Sequence, residues 1–309
     1  MRPSLPEIVK EAFEASSKQF CTVIERTAFS LSAENGEVGH FHVQGRLVRM
    51  KRSGAALIIG DLHGDLESLV EILQGSNIME QIQRDSGQTM IFLGDYGDRG
   101  SYSAEVYYTI LKLRLHYPAQ IVLMRGNHEG PKDLMASPHD LPEQLQSKFG
   151  TKWTDVYTQL LNLHQYLYTS LIVEDSLLMV HGGLSPDTRT IDDLAFAHLT
   201  HPKQSFLEDM LWSDPDETVE QTIPSPRGAG GLFGRKVTDK VLEKLNVNVL
   251  IRGHESCEEG FKTNHAGKVL TLFSRRGAPY FNTRGAYLDL GLSEKVENAD
   301  QLLQYIHTF

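Results

Sequence analysis

Five short stretches place residues able to bind metal or carry protons directly after apolar runs. Residues 55–59 lead into Gly60, Asp61 and His63, and residues 90–93 lead into Gly94, Asp95, Asp98 and Arg99. Residues 121–124 lead into Gly126, Asn127, His128 and Glu129; 177–180 into His181; 247–251 into Gly253, His254 and Glu255. The collected donors are carboxylates, imidazoles and one amide, with no thiolate. Such a mixed oxygen and nitrogen set suits Mn²⁺, Fe or Zn²⁺ better than Ca²⁺ alone. It also exceeds what one ion needs and points to two ions sharing a bridging carboxylate. Two metals about 3.5–4 Å apart form the usual clamp for in-line displacement at phosphorus. The plainer reading of Asp61, a cap on the next helix, passes to Asp65, which opens that helix.

These residues need a scaffold that gathers strand ends. From residue 55 the pattern alternates strand, helix (with Leu66, Leu69, Val70 and Leu73 at helical spacing), strand, helix (104–116) and strand, a βαβαβ signature. In open α/β sheets chemistry sits beyond the carboxyl ends of strands. A polar, largely helical insertion runs from 130 to 171, and its Trp153, Tyr157, Leu160 and Leu167 stripe reads as core. Later come apolar runs at 176–180 and 247–251, a helix at 238–245, a strand pair at 269–273 and 286–290, and a C-terminal helix at 297–306. The segment 214–234 reads as a long Pro- and Gly-bearing loop. Before residue 55 the chain predicts an amphipathic helix over 5–20 and β-prone pieces at 21–24 and 46–50. Residues 1–54 are expected to pack on a catalytic core at 55–290, with 291–309 as a C-terminal helix, all one domain.

The chain has 309 residues, 40% hydrophobic and 23% charged, with a net charge of −10. An acidic balance argues against nucleic acid or an anionic membrane as partner, since both demand a basic surface. Only Cys21 and Cys257 are present, so no disulfide framework exists and a cytoplasmic location is expected. The N-terminus lacks a signal-peptide pattern, and no apolar run reaches spanning length.

Gly60-Asp61-Leu62-His63-Gly64, Gly94-Asp95-Tyr96-Gly97-Asp98-Arg99-Gly100, Gly126-Asn127-His128-Glu129, His181-Gly182-Gly183 and Arg252-Gly253-His254 resemble the ordered motifs of one family. It is the phosphoprotein phosphatase (PPP) family of serine/threonine phosphatases, within the calcineurin-like metallophosphoesterases. Leu211-Trp212-Ser213-Asp214-Pro215 resembles a segment of its protein-phosphatase branch. The resemblance implies an α/β fold in which two mixed sheets form a β-sandwich flanked by helices (α/β/β/α). It implies two divalent metal ions per chain, Mn foremost, with Fe or Zn as alternatives. Asp61 and His63 would bind the first, Asp95 would bridge, and Asn127, His181 and His254 would complete the second. It further implies hydrolysis of phosphoserine and phosphothreonine by in-line attack of a metal-bridging hydroxide. His128 would act as general acid, oriented by Asp98, while Arg99 and Arg227 grip the phosphoryl oxygens. Partners would then be phosphorylated proteins; the sequence names no regulatory subunit. The closest competing activity on the same machinery is hydrolysis of diadenosine tetraphosphate or a similar nucleotide.

The chain also departs from the family pattern. Gly97 stands where a small apolar residue is usual and is expected to loosen the loop carrying Asp98. Ser274-Arg275-Arg276-Gly277-Ala278-Pro279-Tyr280 replaces the usual loop over the site, with Tyr280 in an aromatic role and Arg275 or Arg276 free to meet an acidic substrate. Missing eukaryotic landmarks point to an archaeal or bacterial source. His40 and His42 read as surface residues, and His116, His139, His164, His198, His201 and His265 as ordinary histidines outside the motifs.

Overall fold

In the computed structural model, which describes residues 3–309, the βαβαβ pattern forms three strands of a five-stranded sheet. Its order is Ile306–Thr308, Ala286–Gly291, Ala55–Ile59, Gln88–Phe92, Ile121–Leu123. The last three strands are parallel, with Ile58 level with Ile91, while Ala286–Gly291 pairs antiparallel to Ala55–Ile59. The crossovers are the helices Leu66–Gly75, Ile78–Arg84 and Ser103–His116. Strand residues 56–59, 90–92 and 121–123 are almost fully buried, as expected of parallel strands covered on both faces.

The second sheet has eight strands in the order Gly36–Val38, Phe41–Gln44, Leu47–Met50, Ser170–Val173, Leu177–Val180, Val249–Arg252, Val269–Leu272, Phe261–Asn264. It too is mixed, with parallel pairing where 177–180 and 269–272 flank 249–252. Side-chain alternation sorts its two faces. Leu171, Val173, Leu177, Met179, Val249, Ile251, Leu270 and Leu272 join a core with Ile58 and Ile91 of the smaller sheet. Ile172, Leu178, Val180, Leu250 and Val269 join a second core with helices Phe206–Trp212 and Arg235–Leu245. Each such Leu, Ile or Val contributes about 1.5–3 kcal/mol by burial. Beyond the strand ends, Asp61 bridges to Phe273 and Met124 to Tyr168, so the two sheets meet along the edge where the five motif turns emerge. Among the described residues no helix is long and apolar enough to cross a membrane.

Local chemistry explains where the observed elements differ from expectation. The first helix ends at Glu14, and a second, Ser17–Ala33, absorbs the β-prone 21–24 piece. Ser16 starts it: its N–H donates to Gln19 Oε1 (2.9 Å), while Gln19 N–H donates to Ser16 Oγ (3.4 Å), a capping box. Phe20, Ile24, Thr27 and Leu31 then share its buried face, at helical spacing. The 214–234 segment holds a small three-stranded sheet (Asp214–Pro215, Thr222–Pro224, Gly231–Phe233), and the C-terminal helix is a 3₁₀ segment, Ala299–Tyr305, followed by a strand. His42 pairs with Glu37 on the surface, whereas His40 is half-buried against Thr89.

Candidate active site

Glycines at the turns let the strand ends approach one another. A Cβ on Gly126 would fall on the Asp95 carboxylate, and one on Gly253 would fall on Asp61. The functional residues between them bend sharply: His63, Asp95, Asp98, Arg99 and His254 all adopt positive φ, from 44° to 70°.

Asp61, His63, Asp95, Asn127, His181 and His254 come together, all at least nine-tenths buried. His63 Nδ1 donates to the Gly97 carbonyl (3.0 Å), which leaves Nε2 facing Asp95 Oδ2 at 3.3 Å and Asp61 Oδ2 at 3.7 Å. His181 Nδ1 donates to the Leu93 carbonyl (3.0 Å), and its Nε2 lies 3.4 Å from Asp95 Oδ1. His254 Nδ1 and His181 Nε2 each lie 3.0 Å from Asn127 Oδ1. Asp61 Oδ1 accepts the His254 N–H (2.9 Å), while Asp61 Oδ2 has no hydrogen-bond partner. Backbone carbonyls thus fix the tautomers of His63 and His181 and aim their other nitrogens inward, a common arrangement around metal ligands.

Two groups meet the distance requirement for a shared ion: His63 with Asp95 and His128, and Asp95 with His181 and His254. Asp95 belongs to both. Turned about its last torsion, the Asn127 amide would donate to His254, His181 and Asp95 instead. Hydrogen bonding alone prefers that orientation. With the oxygen inward, the amide, imidazole and carboxylate lone pairs converge as ligands of a divalent cation do, and the unpartnered Asp61 Oδ2 acquires a role. The donor set fits two such ions, and we read the oxygen as inward. Electrostatics agree with ligand chemistry. Burial drives His63 down to about 3 and His254 well below the usual imidazole range, so both rings are neutral at physiological pH. Burial also raises Asp61, whereas His181 and His128 outweigh burial at Asp95 and keep it ionised.

Beside this cluster His128 meets Asp98. The imidazole Nδ1 lies 2.5 Å from Asp98 Oδ2, and its ring contacts His63 edge-on at 4.7 Å. Burial works against a charged ring, but Asp95 and Asp98 outweigh it and raise His128 above its ordinary value. Asp98 is lowered in turn, its burial overcome by hydrogen bonds from His128 and His139. Arg99 Nη2 reaches to 3.4 Å from His128 Nε2, and its guanidinium lies over Tyr280. Tyr280 stacks on His63 at 5.5 Å, so the replaced loop does bring an aromatic ring to the site. Arg227 stands on the His254 side, donating from Nε to Asp214 Oδ2 (2.7 Å); Asp214 Oδ1 also accepts from Arg252 and lies 3.9 Å from His254 Nε2. A cleft of about 630 Å³ opens next to Arg99, between Asp65, Tyr102 and Arg276.

Several expectations change. Arg275 is not free for substrate: it is buried and donates to the His63 carbonyl (3.0 Å), while Arg276 pairs with Glu71. Gly97 also has a packing role: a Cβ there would press on the Tyr107 ring at 2.9 Å. Tyr107 in turn donates to Glu129 (2.8 Å), whose carboxylate also takes the N–H groups of Asp95, Tyr96 and Gly126. His139 is not an ordinary histidine: it donates to Asp98 at 2.8 Å. Its only sequence signal was its place just ahead of Asp140-Leu141-Pro142, a helix start within the insertion.

Residues 55–258 match the family model for calcineurin-like phosphoesterases. The chain is 36% identical over 224 residues to the serine/threonine-protein phosphatase 6 catalytic subunit of Caenorhabditis elegans, covering 72% of this chain and 65% of that one. It is 36% identical over 219 residues to the phosphatase 4 catalytic subunit of Saccharomyces cerevisiae, covering 70% and 68%. A solved Saccharomyces cerevisiae protein serine/threonine phosphatase, described as similar to human PP5, superposes with a TM-score of 0.74 at 22% identity. That match covers 96% of this chain and 90% of the other. These relatives come from a nematode and a yeast, so they lend no support to an archaeal or bacterial source.

Proposed function

The chain belongs to the calcineurin-like phosphoesterases, and within them to the PPP family of serine/threonine phosphatases; from that premise we propose that it hydrolyses phosphoserine and phosphothreonine in phosphorylated proteins. The observation that carries the reading is the Asp98–His128 pair, set against the Asp95-centred ligand cluster. Asp61 and His63 would hold one divalent ion, Asn127, His181 and His254 the other, with Asp95 shared. The thiolate-free donor set suits Mn²⁺, Fe or Zn²⁺, and the family resemblance puts Mn²⁺ foremost. When bound, such ions polarise phosphoryl oxygens and generate a nucleophile from water at neutral pH.

The protein's own groups supply the rest. A serine or threonine alkoxide is too basic to leave unprotonated, and His128 Nε2 faces the site while Nδ1 is committed to Asp98. The Asp98 carboxylate, 2.5 Å from Nδ1, favours the protonated ring and so keeps a proton for the leaving oxygen. Arg99, beside His128, and Arg227, on the far side near His254, donate to non-bridging oxygens and neutralise developing charge. Tyr280 walls the site against His63 and keeps Arg99 in place through its ring face. Cys21 and Cys257 are both free thiols, compatible with a cytoplasmic setting.

Metal-replete protein should turn over a phosphoserine peptide faster than diadenosine tetraphosphate. Faster cleavage of the dinucleotide would overturn the assignment in favour of nucleotide hydrolysis.

A further inference from the structure

Asp98 serves more than His128. Its Oδ2, 2.5 Å from His128 Nδ1, is also 2.8 Å from His139 Nδ1, and its Oδ1 accepts the Leu141 N–H at 2.7 Å. An ionised carboxylate can only accept, so both imidazoles donate to the same oxygen. With Nδ1 the donor, the other ring nitrogen, Nε2, lies 2.8 Å from the Tyr157 hydroxyl. Two directions are therefore fixed, His139 Nδ1–H to Asp98 Oδ2 and His128 Nδ1–H to that same oxygen, while the Tyr157 hydroxyl holds the far side of the His139 ring. His139 and Tyr157 both belong to the insertion between the third and fourth motif strands. The same segment takes the Arg99 N–H on Asp140 Oδ1 (2.9 Å). It thus grips both left-handed residues of the Asp98–Arg99 turn.

We propose that His139, anchored by Tyr157, is a positioning residue for leaving-group protonation. It fixes the plane of the Asp98 carboxylate by bonding the same oxygen that receives His128. It thereby sets how firmly His128 is held and where its Nε2 points. A purely structural tether would be served by the Leu141 N–H on the other oxygen; His139 instead bonds the atom that His128 uses. The inference rests on the reading of His128 as the proton donor, on which His139 and Tyr157 act through Asp98.

The test compares two substrates on metal-loaded enzyme: a phosphoserine peptide, whose leaving oxygen needs a proton, and p-nitrophenyl phosphate, whose leaving oxygen needs little. His139→Leu is expected to lower kcat on the phosphopeptide about tenfold, the effect of one hydrogen bond to a charged group, and to leave the aryl ester and both KM values unchanged. His139→Asn, which places an amide N–H where Nδ1 stood, should recover most of the loss. Tyr157→Phe should show the same split more weakly, and it decides the matter if His139→Leu does not fold by circular dichroism. Equal losses on both esters, no loss on either, or an Asn variant no better than Leu would overturn the inference. His128→Asn separates the two levels. If it too fails to split the substrates, the proton-donor reading falls; if it splits them and His139→Leu does not, only the role of His139 falls.

Discussion

Asp98→Asn is the most informative single change, because it keeps shape and removes charge. Three donors converge on the carboxylate: His128 Nδ1 at 2.5 Å, His139 Nδ1 at 2.8 Å and the Leu141 N–H at 2.7 Å. An amide offers one accepting oxygen. If that oxygen stays with Leu141, the amide NH₂ confronts two imidazole N–H groups, and His128 must turn or change tautomer. A hydrogen bond to a charged group is worth about 1.5–3 kcal/mol. At about 1.36 kcal/mol per tenfold, kcat on a phosphoserine peptide should fall about 10- to 100-fold. KM should hold, since Asp98 does not reach the substrate side of His128. The pH profile gives a second readout. Asp95 and Asp98 hold His128 above its ordinary pKa. A general acid works only while protonated, so the rate declines as pH rises through that pKa. Removing the Asp98 charge lowers it, and the alkaline limb of kcat should move to lower pH. Steady-state kinetics across the neutral range measure both. An unchanged kcat with an unmoved alkaline limb, or a loss confined to KM, would refute the reasoning.

Other perturbations reach different parts of the site. Asp95→Asn should reduce bound metal by elemental analysis and cost more activity than Tyr280→Phe, because Asp95 belongs to both ligand groups whereas Tyr280 is a wall; comparable losses would remove Asp95 from its bridging role. Gly97→Ala drives a methyl to 2.9 Å from the buried Tyr107 ring and should cost about 1–3 kcal/mol, read as a lower Tm. An unchanged Tm would mean that the ring yields. His164 is pushed down to about 3 by burial. Its unfolded form titrates near about 6.5, so between these values the unfolded chain binds a proton that the folded chain refuses. Its contribution is therefore a loss of stability as pH falls through that window, at up to about 1.4 kcal/mol per pH unit. His164→Phe should flatten denaturation midpoints over this range, and an unaltered slope would exclude the residue as the cause.

The six clustered residues were legible in the sequence because each lies within a few residues of the strand that carries it. Apolar run, glycine, donor is a local pattern, and local patterns survive in one dimension. His139 was not legible for the opposite reason: it lies 41 residues from Asp98 and meets it only when the insertion folds back over the catalytic turn. Arg275 failed similarly, since an arginine in a rim loop reads as substrate-facing until a buried carbonyl, here that of His63, claims its N–H groups. At Gly97 backbone freedom is legible in the sequence, whereas the Tyr107 ring that fills the space arrives only with the fold. The 21–24 segment was misread from β-propensity, although the capping box at Ser16 and Gln19 was written in the same stretch.

The left-handed backbone at His63, Asp95, Asp98, Arg99 and His254 carries a local conformational cost. For a residue with a Cβ, that conformation is roughly 1–2 kcal/mol uphill, and glycine escapes it. Fold and activity therefore want different letters at the same five positions. A selection that scores heat resistance alone should drift towards glycine first at Arg99, whose side chain makes only long contacts, and return proteins that melt later and hydrolyse poorly, whereas Asp98 is held by its three donors. Thermostabilising this scaffold accordingly means holding those five positions fixed and seeking gains in the two apolar cores.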